Sequence, residues 1–437
     1  MAETFFPTEP RSVDDTGLGL LFLSELAMKT LYLAGQMTGF ELAQAMRLSF
    51  PGVVSRVVDF MKREHYCETR GTGGLGEASY QYSVTEKGGA KAREALWRNQ
   101  YAGPAPVTLA EYGRAVRVQS APQAELGRGE LEQALAHLVL SPALLDDLGP
   151  AVASRHSLML HGASGNGRTR IARALADLLC RDHCYIPYAV EAGGEIILLH
   201  DDSLHERIAD GAAPNGETGG AGPRQDGRWV RIRRPVIALG SELRLEGMEP
   251  SFGEITRCYT APPQLKANNG VAIVDDLGRQ TAPPGDLLNR WVGPLDSRSD
   301  HLTLRTGLRL QFPFEAIVIF ATHLDARDLA GAAHLRRIRH SVTLRDPTFD
   351  EYREIFRRAC GAQGIPYNED ALAHLLQKYY IQRQVPMRAS HPDEILKRLG
   401  DIAKYQSRTP SLASDLLEQA CRIYFAQIGE TKGALAQ

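Results

Sequence analysis

Residues 158–176 read LMLHGASGNGRTRIARALA. A short apolar run gives way to a glycine-rich turn, and then to apolar residues at helical spacing. Inside the stretch, 162–169 is GASGNGRT, the spacing G-x-x-x-x-G-[KR]-T with Arg168 where a lysine usually stands. Glycines in such a turn let backbone N–H groups converge on a phosphate, and the helix that follows adds its positive amino end. Gly162, Ala163, Ser164, Gly165, Asn166, Gly167, Arg168, Thr169 and Arg170 are therefore the candidate nucleotide-binding residues. In this pattern the basic side chain reaches the β- and γ-phosphates and the hydroxyl holds Mg2+, which makes Thr169 a candidate metal ligand. SLMLHG is the expected strand. RTRIARALADLLC is the expected helix, with Ile171, Leu175, Leu178 and Leu179 on one face.

A second anchor lies about a hundred residues on, at 269–280, NGVAIVDDLGRQ. GVAIV has the composition of a buried parallel strand and ends in Asp275 and Asp276. A carboxylate at the carboxyl end of a strand beside a phosphate loop is where Mg2+ and an attacking water must be handled. AIVIFAT is a third buried strand, ending at Thr322 and His323. LRRIRHSVTLRDPTFDEYREIF (335–356) carries an arginine cluster, a strand, and Pro347 ahead of a helix, and from there to residue 437 the pattern is helical. Between the anchors, 211–228 is glycine-rich and polar and reads as a mobile insertion, while 287–307 reads as a helix and a strand pair.

Ahead of the loop, residues 1–16 read as a loose arm. Residues 17–100 predict three helices, a two-stranded hairpin around GTGGLGE and a final helix, the order of a winged helix. Thr38 and Glu41 form an expected capping box, and Pro51 suits the first turn of the third helix. That third helix would offer Arg56, Lys62 and Arg63 to DNA, with Arg70 on the wing. The region holds ten Lys/Arg against eight Asp/Glu, a weak basic footprint, so docking onto a protein competes with docking onto DNA. Three prolines in 100–125 mark a linker, with a short helix expected at 108–118.

Bulk composition excludes several classes. With 43% hydrophobic and 23% charged residues and a net charge of −2, the chain is of ordinary globular type with no global field toward nucleic acid or membrane. The longest apolar runs fall short of a membrane span, and the start carries no evident secretory signal. Six scattered cysteines fit free thiols in a reducing cytoplasm. Cys180, His183 and Cys184 have no second pair at zinc spacing.

The order and spacing of these motifs resemble an AAA+ ATPase module over 140–425, within a bacterial winged-helix AAA+ group. The resemblance implies an α/β fold: a phosphate-loop AAA+ parallel sheet core with a C-terminal helical lid, preceded by a winged-helix domain. It divides the chain into an arm (1–16), a winged helix (17–100), linker helices (101–139), a nucleotide-binding core (140–346) and a lid (347–437). Gly162, Gly165, Gly167, Arg168 and Thr169 fall on Walker A, and Asp275 and Asp276 on Walker B, with Asp275 toward the metal. His323 falls on sensor 1, Arg336 or Arg337 on the arginine finger with Arg339 close by, and Arg388 on sensor 2. The implied cofactors are ATP and Mg2+. The implied activity is that of an ATP hydrolase, working as a homo-oligomer (a ring of six in relatives) on an unknown protein partner or on DNA.

Three residues depart from the family pattern, all round one γ-phosphate. Arginine at 168 keeps the charge, but its planar fork is bulkier than an ammonium and prefers bidentate geometry. Asp276 is one methylene shorter than the glutamate that activates water in most relatives. His323 stands for an asparagine, and its charge is sensitive to pH near ~6.5. Together they point to nucleotide binding with slowed hydrolysis, and the competing reading is a nucleotide-gated scaffold or DNA-binding regulator.

Overall fold

The computed structural model describes residues 5–72, 76–120, 126–209, 224–324 and 337–434. In chain order the strands are β1 Gln36–Thr38, β2 Cys67–Thr72, β3 Tyr80–Val84, β4 Val107–Thr108, β5 Leu158–Gly162, β6 His183–Pro187, β7 Ala189–Ala192, β8 Glu195–Leu198, β9 Trp229–Arg233, β10 Val236–Leu239, β11 Ser251–Phe252, β12 Tyr259–Thr260, β13 Val271–Leu277, β14 Ser299–Thr303, β15 Arg309–Pro313, β16 Ile317–Thr322 and β17 His340–Leu344. The chain forms two compact units, neither continuous in sequence. The first gathers residues from 1–125, 179–273 and 280–318, and the second from 126–178, 274–279 and 319–437.

In the first unit, helices Leu20–Ala34, Gly39–Met46 and Ser55–Arg63 pack with the antiparallel sheet β1-β3-β2 and the helix Glu86–Arg98 around Leu23, Leu42, Val57 and Tyr82. The capping box is present: Thr38 Oγ1 accepts the Glu41 amide at 3.1 Å, and the Glu41 carboxylate accepts the Thr38 amide at 2.7 Å. Pro51, expected in the first turn of the third helix, lies outside it. Pro51 is extended (ψ 131°) and Gly52 is left-handed (φ 83°), so the regular helix starts only at Ser55. A side chain on Gly52 would collide with the carbonyl of Arg11, because the N-terminal segment runs directly beneath that turn. Residues 5–16, expected as a loose arm, are held there by Ser49 Oγ donating to the Pro10 carbonyl at 3.1 Å and by backbone bonds to Arg224 and Asp226.

The same unit holds a second sheet, β11-β12-β8-β7-β4, with the antiparallel pairs β6-β9 and β14-β15. The run YIPYAV (185–190) is split at Tyr188 between β6 and β7, which pair with different partners. The helix Leu109–Gln119, expected as a short helix in a linker, buries Tyr112, Ala115 and Val116 in the core of this part.

The second unit is the α/β core. Four strands of the five-stranded parallel sheet end in it, in the order β13-β16-β5-β17. β16 and β17 both run parallel to β5, from Ile319↔Leu158 to Thr322↔His161 and from His340↔Leu158 to Leu344↔Gly162. Val271 to Val274 and Val318 to Ala321 are buried without alternation, as strands covered on both faces must be. The helices Phe349–Ala362, Glu369–Leu375, His391–Tyr405 and Ser414–Ala434 then form a separate helical core around Tyr352, Phe356, Leu396 and Leu417. Thr348 and Glu351 cap the first of them with a reciprocal box. The α/β class expected from the sequence, with its parallel sheet and helical C-terminal region, is the class observed.

Candidate functional site

β5 delivers the chain into the turn 162–167, and the helix Arg168–Leu179 leaves it, its first bond running from the Ile171 amide to the Gly167 carbonyl at 2.9 Å. Gly162, Gly165 and Gly167 have φ of 145°, 91° and 82°, values that only glycine adopts without strain. At Gly162 space is closed as well, since a Cβ would collide with the Leu344 carbonyl on the neighbouring β17. The result is a left-handed glycine turn directly ahead of a helix amino end, the arrangement that suits an anion.

The carboxyl ends of the neighbouring strands supply the side chains. Thr169 Oγ1 donates to Asp275 Oδ1 at 3.0 Å, and the Asp276 amide donates to the same oxygen at 3.0 Å. Asp276 is itself left-handed (φ 48°), an uncommon state for a residue with a side chain, and Gly278 follows at φ 113°. A Cβ on Gly278 would lie 2.6 Å from Leu324 Cδ1, so this turn is pressed against the end of β16. Thr322, fully buried, fixes that contact by donating from Oγ1 to the Leu277 carbonyl at 2.6 Å. His323 thereby comes within the influence of Arg168, Arg279 and Asp276. Burial, and after it the charges of Arg168 and Arg279, holds its pKa below the usual histidine value, so it is neutral at pH 7. Its Nδ1 is buried with no partner among the described residues, and the same is true of Asn166 Oδ1 in the loop.

Arg168, expected to reach toward phosphates, turns inward instead. Its side chain is 7% exposed; Nη1 donates to the Gly162 carbonyl, and Nη2 pairs with Asp276 Oδ1 at 3.2 Å. The physical reason is charge: a buried guanidinium must find an anion, and the nearest one is the strand-end aspartate. Burial also lowers the pKa of Arg168, with Asp276 opposing that shift.

Arg388 behaves alike. It pairs with Asp346, whose Oδ1 also accepts from Asn166 Nδ2 at 2.7 Å. The Ser390 amide donates to the Gly165 carbonyl at 2.9 Å. Asp346 and Ser390 are the residues that sequence reasoning missed. Asp346 follows β17 as Asp275 follows its buried run, so the same strand-end logic applied to HSVTLRD points to it.

The other expected residues are placed as follows. Ser164 and Arg170 are exposed and Ala163 is half-buried; Arg170 lies 4.0 Å from Asp393. Arg337 is exposed just ahead of β17, and Arg339 reaches His156 Nε2 at 3.0 Å. Arg336, most of the 211–228 insertion and the tip of the hairpin lie outside the described residues. In the 17–100 region, Lys62 lies over the Tyr82 ring at 5.0 Å, and Arg70 pairs with Glu68 at 2.7 Å.

A family model described as a domain of unknown function (DUF8689) matches residues 348–423, within the helical region. No curated protein matches the chain. Among solved structures, NtrX from Brucella abortus aligns with a TM-score of 0.37 and 11% identity, over 84% of this chain and 63% of that one. NtrX from the same organism in complex with ATP aligns at 0.39 and 14%, over 80% and 67%. A RuvB variant from Thermotoga maritima aligns at 0.34 and 11%, over 68% and 70%. This chain therefore spans less than two thirds of the length of the first of these structures.

Proposed function

We propose that the second unit is an AAA+ nucleotide-binding module, in which 162–169 takes the phosphates of ATP and the strand ends around it manage hydrolysis. The observation that carries this reading is the single cluster formed by the left-handed glycine turn, Thr169 on Asp275 at 3.0 Å, and His323, whose buried Nδ1 has no partner among the described residues. Mg2+ fits the donor set: a hydroxyl and one carboxylate are hard oxygen ligands, and Mg2+ in such sites is completed by phosphate oxygens and water. When bound, it would offset charge on the phosphates. Thr169 and Asp275 would hold it, Asp276 and neutral His323 would orient water, and Arg388 would approach the nucleotide from the helical region. Arg336 or Arg337 would act in trans on a neighbouring copy, which makes the working form an oligomer. The cellular role is then coupling of nucleotide state to remodelling or regulation of a partner, in the cytoplasm, where the six buried thiols would stay reduced. No helix among the described residues is long and apolar enough to cross a membrane. In the 17–100 region Arg70 pairs with Glu68 and Lys62 lies over Tyr82, while Arg56 and Arg63 are exposed, so its partner is a protein or DNA.

One observation favours slow turnover. Arg168 must give up Asp276 to reach a phosphate, and an arginine that lets go only in part leaves the carboxylate meant for water partly neutralised; a misplacement of ~1 Å can cost on the order of a hundredfold in rate. A hydrolysis-impaired, nucleotide-gated scaffold is therefore the second reading. Phosphate release by concentrated protein separates the two, with Asp275→Ala as control. Slow release that disappears in Asp275→Ala, and that rises in an Arg168→Lys/His323→Asn double variant, supports the ATPase. Nucleotide binding with release no higher than the control supports the scaffold.

A further inference from the structure

The tip of the phosphate loop and the helical region meet on one carboxylate. Asp346 Oδ1 accepts from Asn166 Nδ2 of the loop and from Arg388 Nη1 of the helical region. Directly beside it the Ser390 amide is bonded to the Gly165 carbonyl at 2.9 Å. The approach is close: a Cβ on Gly165 would lie 2.8 Å from Ser390 Oγ and 3.3 Å from Arg388 Cβ. Behind this contact the segment is bonded into the helical core. His391 Nδ1 is hydrogen-bonded to the Tyr380 hydroxyl at 2.9 Å, and that hydroxyl to Tyr352 at 2.7 Å, both tyrosines lying in the helical core. The segment at the loop tip is thus connected by hydrogen bonds to the helical core.

The charges set a competition. Asp346 is an anion with a side chain 41% exposed, and it occupies the guanidinium of Arg388 and the amide of Asn166. Phosphate oxygens seated on 162–169 would be anions seeking the same two donors. We propose that Asp346 is a positioning residue that holds Arg388 and Asn166 in the nucleotide-free protein, and that a bound triphosphate displaces it. Occupancy of the loop is then read out as transfer of Arg388 and Asn166 from Asp346 to the phosphates, which loosens the Ser390–Gly165 bond as Arg388 moves. This inference rests on the nucleotide-binding reading above.

A double-mutant cycle in the full chain tests it, with Mg·ATP affinity read for wild type, Asp346→Asn, Arg388→Ala and the pair. Removing the competing charge should tighten binding roughly fivefold when Arg388 is present, and by less than twofold when it is alanine. Hydrogen exchange gives a second readout. The Ser390 amide should exchange faster in nucleotide-free Asp346→Asn than in nucleotide-free wild type, and ATP should produce the same acceleration in wild type. Wild-type binding with equal effects in both backgrounds, or with weaker binding by Asp346→Asn, overturns this inference alone, as does unchanged exchange at Ser390. Wild-type protein that binds no ATP overturns the nucleotide reading and this inference with it.

Discussion

Arg228 in the first unit and Arg168 in the second are both buried arginines facing an aspartate, and they are satisfied in opposite ways. Arg228 is 1% exposed, and every nitrogen is used. Nε donates to both oxygens of Asp226 at 3.1 and 3.0 Å. Nη2 donates to Asp226 at 2.8 Å and Glu111 at 3.3 Å, and Nη1 to the carbonyls of Thr16 at 3.1 Å and Pro106 at 3.4 Å. Asp226 is as buried as its partner, and the cluster ties three separate stretches of chain together, at Thr16, 106–111 and 226–228. Arg168 has a carbonyl and one oxygen of a half-exposed aspartate, and the neighbouring His323 Nδ1 and Asn166 Oδ1 lie buried with no partner among the described residues. A closed set of bonds marks an arginine that holds a fold. An open set, with orphaned neighbours on a left-handed glycine turn, marks one that waits for an anion.

The largest effect that would break this contrast is on stability in the first unit. Asp226→Ala leaves a buried guanidinium without its main anion, and chemical denaturation should show a loss of about 3–5 kcal/mol. A loss below 1 kcal/mol would remove Arg228 from the list of fold-holding groups. A somewhat smaller effect is expected from pH in the helical region. Burial, and after it the charge of Arg388, lowers the pKa of His391 from 6.5 to about 4. Folded His391 stays neutral while the unfolded chain takes up its proton. Its contribution is therefore complete above pH 6.5 and lost as pH falls from 6.5 toward 4, about 3 kcal/mol in all. Denaturation at pH 7 and pH 5 should show a steeper decline for wild type than for His391→Gln, and parallel declines would contradict the assignment. The smallest stability effect belongs to Arg168. Its bonds are few and its partner is half-exposed, so Arg168→Met should cost roughly 1 kcal/mol or less, as for other partly solvated pairs.

The sequence made the skeleton of the second unit legible because that skeleton is written in local patterns. GASGNGRT and the apolar runs before Asp275 and before Thr322 each need only a few neighbouring residues to be read, and the capping box at Thr38 and Glu41 in the first unit is legible for the same reason. What escaped depends on partners far along the chain. Asn166 and Asp346 are 180 residues apart and Arg168 and Asp276 are 108 apart, so neither the direction of Arg168 nor the role of Asp346 follows from any one window. Arg228 gave no signal in a polar stretch, since its partners at Thr16, Pro106 and Glu111 are brought to it only by the fold. The start of the third helix was misplaced for a related reason. Pro51 is a good first-turn residue locally, but the Arg11 carbonyl beneath Gly52 imposes a left-handed turn there.

The central claim is that Arg168 leaves Asp276 for the phosphates of a nucleotide, and calorimetric titration of Mg·ATP into wild type and Arg168→Met tests it most directly. The account expects saturable binding at one site per chain in wild type, weakened about tenfold or more in Arg168→Met, with the melting temperatures of the two ligand-free proteins nearly equal. No heat of binding in wild type, or equal affinities in the two proteins, would contradict it.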